Sequence, residues 1–273
     1  VLFRSEEVVN AGALFKLAIS EEQYTKLNQS NTKGGELRSN WKSDVEKMNR
    51  VLKEEGIEGA VMEIYSKPRI DAIARLWELL PGWSLDITVN DPEDGEPWDF
   101  TKQSKRDKAE AMVRGKKALL LIGSPMCSAF SQLQTLNRGR MGEERFNYMI
   151  EKAIVHLRFC MKLYKIQMDN GLYFLHEHPA SASSWRDNYT KRIMDDWRVY
   201  RVEGDMCRFR MQQELDGELT LVKKRTGFMT NAEMIAGRLA QRCDGGHRHI
   251  HLINGRAKQA EIYPEDLCKI GRA

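Results

Sequence analysis

The stretch Ala118-Leu119-Leu120-Leu121-Ile122-Gly123 contains no polar side chain and ends at Ser124-Pro125. So short an apolar run, cut off by a turn signal, reads as a strand covered on both faces, the situation of a central parallel strand in an α/β sheet. The surrounding sequence repeats the same unit. Ala60 to Tyr65 reads as a strand, and Arg69 to Leu80 as a helix carrying Ile70, Ile73, Leu76, Trp77 and Leu80. Pro81-Gly82 breaks that helix, and Trp83 to Ile87 reads as the next strand. A lysine-rich helix from Lys102 to Arg114 precedes the apolar run. A long helix from about Glu143 to Asn170 follows it, closed by Gly171, and Tyr173-Phe174-Leu175 is a fourth strand. This alternation predicts a doubly wound α/β domain, with its chemistry at the carboxyl ends of the strands.

Upstream of residue 59 the sequence is polar and helical, so 1–58 reads as an extension or linker and 59–273 as the domain, with a small basic part from about 186. Within the extension, Ala11 to Ile19 is mostly apolar, Ser20-Glu21-Glu22 reads as a helix start and Asn28 to Gly35 as a linker. Trp41 to Glu55 reads as an amphipathic helix with Val45, Met48, Val51 and Leu52 on one face. The first residue is not Met, and no secretory leader pattern opens the chain. Val1 to Ser5 matches one reading frame of a common sequencing adapter, so the sequence is taken as a fragment with debris at its start. The stop just after Ile270 to Ala273 reads as a further truncation.

Composition narrows the class. No window approaches the roughly 18 apolar residues of a membrane-spanning helix, so a membrane partner is not expected. Five cysteines, an odd number without paired spacing, argue against a disulfide scaffold. They point to a reducing, intracellular compartment, the nucleus if the source is eukaryotic.

Four strand ends are expected to face one cleft: Tyr65-Ser66-Lys67-Pro68, Asp86, Ser124-Pro125-Met126-Cys127 and His176-Glu177-His178-Pro179. Two of them carry a resemblance. Leu121 to Ser131, an apolar strand followed by Ser-Pro-Met-Cys-Ser-Ala-Phe-Ser, resembles the nucleophile motif of cytosine-5 DNA methyltransferases, where Pro-Pro-Cys-Gln-x-Phe-Ser follows such a strand. Phe174 to Pro179 is similar to that family's later Glu-Asn-Val motif. Order and spacing agree over about residues 59 to 185. The sequence is closer still to a divergent branch found in protist retrotransposon polyproteins, in which Phe159-Cys160-Met161, Asp169-Asn170-Gly171, Ser184-Trp185, Thr230-Asn231 and Tyr263-Pro264 recur. Met126 and Ser128 depart from the nucleophile motif. Tyr65 to Arg69 lacks the family's Phe-x-Gly-x-Gly-Gly loop, and Cys207-Arg208-Phe209-Arg210 is a loose echo of its Gln-x-Arg-x-Arg.

The resemblance implies a Rossmann-like sheet of the S-adenosylmethionine-dependent methyltransferase type. It implies methyl transfer from S-adenosylmethionine to carbon-5 of cytosine in DNA; RNA stays open as a partner, as do neighbouring polyprotein domains. Carbon-5 is not nucleophilic until a thiolate adds to carbon-6, so a thiol at a strand end and an acid at ring nitrogen N3 are both needed. Cys127 and Glu177 take those roles. Asp86 would meet the cofactor's ribose and Asp99 its adenine, with Tyr65, Ser66 and Pro125 completing the cofactor contacts. Two other readings stand beside this one. One is a catalytically inactive nucleic-acid-binding module of a retroelement polyprotein, and the other a cysteine hydrolase pairing Cys127 with His176 or His178.

The net charge is only +4, but it is unevenly spread. Thr101 to Lys117 holds seven basic and two acidic residues, and Arg186 to Lys258 fifteen and ten. The second stretch is where a nucleic-acid backbone is expected, with Arg208, Arg210, Lys223, Lys224 and Arg225 as first contacts. Within it, Cys243, His247, His249 and His251 are ligand types suited to zinc, set in a segment that reads equally as a basic glycine-rich loop or a packing turn. The usual pair of two-ligand arms is absent, and no metal is expected on this pattern alone. Cys160 reads as core, while Cys207, Cys243 and Cys268 have no assigned role.

Overall fold

A computed structural model describes residues 41–76, 78–215, 217–252, 256–264 and 267. The readings of Val1 to Ser5, Ala11 to Ile19, Ser20 to Glu22, the 28–35 linker, Trp77, Cys268 and Ile270 to Ala273 lie outside those residues. In chain order the elements are α1 (Trp41–Glu54), β1 (Gly59–Ile64), α2 (Ile70–Leu76), β2 (Trp83–Leu85) and α3 (Gln103–Arg114). Next come β3 (Ala118–Gly123), α4 (Gln132–Met141), α5 (Glu143–Asp169), β4 (Tyr173–Pro179), α6 (Asn188–Met194) and β5 (Tyr200–Asp205). The remainder is β6 (Gln212–Leu215), β7 (Glu218–Lys223), β8 (Arg225–Thr230), α7 (Glu233–Leu239), β9 (His249–His251) and α8 (Arg256–Gln259).

The main sheet has six strands in the order β2-β1-β3-β4-β8-β5. β1 runs parallel to β2 and β3, and β3 parallel to β4, with Met62 beside Leu121 and Leu121 beside Phe174. β1 and β3 are buried at every residue, as expected of parallel strands with helices on both faces. The sheet is an α/β layer compatible with a Rossmann-like fold, but it is mixed. β8 pairs antiparallel with both β4 and β5, Phe228 lying beside Glu177 on one side and Val202 on the other.

Two apolar layers clasp the sheet. One joins α1 (Val45, Met48, Leu52) and α7 (Ile235, Leu239) to Val61, Leu120, Ile122 and Phe228. The other joins α3 (Ala109, Val113) and α5 (Leu157, Cys160, Leu163, Tyr164) to Met62, Ile64, Leu121, Phe174 and Met229. Cys160 is core, as its place on an apolar helix predicts. α1, assigned by the sequence to the extension before residue 59, is a layer of the domain.

The basic part from residue 186 contributes strands β5 and β8 to the main sheet, and β6, β7 and β9 form a separate three-stranded sheet. The other basic run, on α3, is largely neutralised by the acidic loop before it. Lys105, 3% exposed, binds Asp91 (2.9 Å) and Asp94 (2.7 Å), while Lys108 binds Asp91 (2.6 Å) and Glu93 (2.7 Å). Both ammonium groups lie over the buried Trp98 ring. Among the described residues, no helix is long and apolar enough to cross a membrane.

Candidate active site

Cys127 stands where β3 stops. Gly123 ends that strand beneath the Tyr164 hydroxyl, and a Cβ there would lie 2.0 Å from the Tyr164 oxygen, so the close approach requires glycine. The chain then passes the buried Pro125 and the exposed Met126 and delivers Cys127, half-buried, to the start of a short 3-10 turn. The Phe130 N–H donates to the Cys127 carbonyl (3.0 Å), and Ser131 caps α4 by accepting from the Gln134 N–H (3.3 Å). The Phe130-Ser131 part of the motif therefore shapes the loop that carries the thiol.

β4 alternates strictly. Phe174, His176 and His178 are buried on the α5 side, while Tyr173, Leu175, Glu177 and Pro179 turn the other way. Glu177 accepts a short hydrogen bond from the Tyr263 hydroxyl. Lys224, at the β7–β8 turn, donates to that hydroxyl and to the Ala260 carbonyl, each at 2.9 Å, and lies 4.0 Å from the Tyr263 ring. Cys127, Glu177, Lys224 and Tyr263 form one electrostatic group. Burial and then the Glu177 charge push the Cys127 thiol up, against the opposing pull of Lys224. Burial draws the Lys224 ammonium down, opposed by Glu177 and Cys127. Burial and Glu177 also hold the Tyr263 phenol far above its ordinary range. Lys224 was expected on a phosphate; the fold turns it inward instead. Tyr263 was visible in the sequence only as half of a recurring Tyr-Pro pair.

The two histidines do not serve the thiol. The His178 Nε2–H donates to the Pro125 carbonyl (2.8 Å), which leaves Nδ1 to accept from the Ser184 hydroxyl (2.6 Å). His176 Nδ1 meets the Tyr164 hydroxyl at 3.1 Å. Burial lowers both imidazole pKa values, so both rings are neutral near pH 7. The Cys–His pairing of a hydrolase is thus corrected: strand alternation puts both rings on the face opposite Glu177, bonded to other groups.

At the first strand end the chain departs from a glycine-rich loop. Tyr65 itself takes a left-handed φ of 59°, and its hydroxyl meets His156 Nδ1 at 2.8 Å with the ring against Phe100. Ser66 donates to Glu63 (3.3 Å). Glu63, 1% exposed in an otherwise apolar strand, accepts the backbone N–H groups of Arg69, Ile70 and Asp71 at 3.0, 3.0 and 2.9 Å on one oxygen. It fills the amino end of α2, and its sequence signal was a single carboxylate inside a buried strand. Asp86 and Asp99 make matching turns, each accepting through Oδ1 from the N–H and hydroxyl of the threonine two residues on. Pro125, expected against the cofactor, is buried, with its carbonyl held by His178.

The other basic candidates are dispersed over neighbouring turns. Arg208 is exposed and 3.6 Å from Asp244, Arg210 is exposed with φ 59°, Lys223 is exposed beside His251, and Arg225 binds Asp205 (3.0 Å). Of the zinc-type residues, Cys243, His247 and His249 converge, and Cys207 joins them in place of His251, which is exposed at the end of β9. Compared with known proteins, the chain matches no family model and no curated protein; its fold is a mixed-sheet α/β layer with Cys127 and Glu177 carried at the ends of two adjacent parallel strands.

Proposed function

We propose that this rim is the active site of a cytosine-5 methyltransferase-like enzyme acting on DNA through a covalent cysteine intermediate. The observation that carries the reading is the convergence of Cys127 and Glu177, from the ends of adjacent parallel strands, with Lys224 and Tyr263. A mixed sheet with one reversed strand is compatible with the methyltransferase-type fold that the resemblance implies.

Cys127 and Lys224 suit the first step. Burial and the Glu177 charge push the Cys127 thiol pKa up, and the Lys224 ammonium opposes them, so Lys224 would stabilise the attacking thiolate as the thiol proton passes to solvent. The thiolate forms the sulfur–carbon-6 bond, and the electron pair of the ring double bond moves onto carbon-5. Tyr263 holds one oxygen of Glu177, and the other carboxyl oxygen, when protonated, donates to N3 and offsets charge in the ring. Once carbon-5 has used that pair to bond the transferred methyl group, its proton would pass to solvent, and the carbon–hydrogen pair would re-form the ring double bond and expel the cysteine sulfur as thiolate. The base would have to leave the duplex stack to reach Cys127.

S-adenosylmethionine would supply the electrophilic methyl group. The adenosine end fits the residues present: Asp86 and Asp99 use Oδ1 in their turns, leaving Oδ2 as an acceptor for ribose hydroxyls or an adenine amino group. Ile87, 62% exposed, adds apolar surface beside Asp86. A specific observation favours the second reading, a nucleic-acid-binding module without the reaction. Glu63 already occupies the N–H groups of α2 that would otherwise receive the cofactor's carboxylate.

Trapping on duplex DNA containing 5-fluorocytosine tests the proposal, because fluorine on carbon-5 blocks release of the cysteine. A covalent adduct is expected that needs S-adenosylmethionine and is lost in Cys127→Ser and Glu177→Gln. No adduct on varied DNA and RNA, with no cofactor binding at millimolar concentration, would leave only the module.

A further inference from the structure

We propose that Cys207, Cys243, His247 and His249 bind one zinc ion in a closed structural site, independent of the rim chemistry. One ligand atom from each of the four lies within 4.8 Å of the others. The Cys243 sulfur is 3.5 Å from His247 Nε2 and 3.4 Å from His249 Nε2. Zinc–sulfur bonds of about 2.3 Å and zinc–nitrogen bonds of about 2.0–2.1 Å at tetrahedral angles put such pairs about 3.6 Å apart. Two edges of the tetrahedron are therefore already near length, and none of the others exceeds 4.8 Å. Two thiolates and two imidazoles are a soft-to-borderline set that favours tetrahedral zinc over magnesium or calcium. All four positions are supplied by protein, which marks a structural rather than a catalytic site.

The surroundings are built as the second layer of a metal site is. Gly245, at φ 84°, turns its N–H onto the Cys243 sulfur at 3.3 Å, a bond that stabilises a thiolate. The Cys243 N–H in turn donates to Asp205 (3.0 Å), whose carboxylate is shared with Arg225 and Arg242. Sequence spacing concealed the site because Cys207 comes from the turn after β5, far upstream of Cys243, and because His251 looks like the natural fourth ligand. The ion would tie that turn and the 243–247 loop to β9, which pairs with β7. β7 leads directly to Lys224, so the metal would anchor the base of the segment that carries it.

Full-length protein purified without chelators should contain one zinc per chain by mass spectrometry of its metals. Cys207→Ser and His249→Ala should lose it, while His251→Ala keeps it. Because losing a ligand also removes folding energy, the wild-type chain stripped and reloaded with cobalt(II) gives a second readout that needs no variant. The visible ligand-field bands of a tetrahedral site and a thiolate-to-cobalt band are expected. Substoichiometric metal with no such bands overturns the proposal, as does an intact mass lighter by two hydrogens from a Cys207–Cys243 disulfide.

Discussion

His178 works through two hydrogen bonds at once, and both reach the nucleophile's neighbourhood. One holds the Pro125 carbonyl, two residues before Cys127; the other holds Ser184. Replacing His178 with Ala leaves both partners unsatisfied in a buried place, at a cost of about 1–3 kcal/mol. Urea unfolding should show that loss, and iodoacetamide should reach Cys127 faster because the loop is no longer pinned. The charges on the opposite face give the same reaction a signed pH dependence. Glu177 raises the thiol pKa and Lys224 lowers it, so the alkylation midpoint should fall in Glu177→Gln and rise in Lys224→Met. A midpoint that does not move in either variant would show that the two groups are not coupled to the thiol. These roles were only partly legible in sequence. Cys127 and Glu177 stand out by their motifs, but Lys224 sits in a Lys-Lys-Arg run whose side chains differ only in the direction tertiary packing sends them.

At the scale of the element, α3 shows how a basic run becomes structural. Burial works against ionisation of Asp91, but the ammonium groups of Lys108 and Lys105 outweigh it and hold the carboxyl at about 2, below its ordinary 3.8. A depressed carboxyl pKa adds stability that is fully present above the unfolded value and drains away as pH falls through the folded one. The wild type should therefore lose this contribution between about pH 4 and pH 2, and Asp91→Asn should flatten that limb of the stability curve. At neutral pH the same substitution strips a buried lysine of one partner, a loss of about 3 kcal/mol by the usual figure for broken buried pairs. Strands β1 to β4 and helices α1, α2, α3 and α5 were readable, because period-3.6 and continuous apolar patterns act within ten or so residues. The reversed setting of β8 was not readable, since its partners on β4 lie some 50 positions earlier and nothing local records pairing direction.

For the whole molecule, the boundary at residue 58 has a measurable consequence. A chain starting at 59 would lack Val45, Met48 and Leu52, which cover one face of the sheet. We expect that truncation to be insoluble or molten, and Leu52→Ala alone to cost about 2–5 kcal/mol in denaturant unfolding. A 59–273 fragment that unfolds as cooperatively as the longer chain would instead make α1 dispensable. The sheet also has an order of completion set by synthesis. β8 enters between β4 and β5, yet it is the last of the six strands to leave the ribosome. Until Thr230 has emerged, β4 and β5 each present an unpaired edge, and the strand bearing Glu177 has nothing beside it on that side. The nascent protein is thus expected to be most prone to wrong partners just before β8 emerges, and slowing translation there should lower the soluble yield.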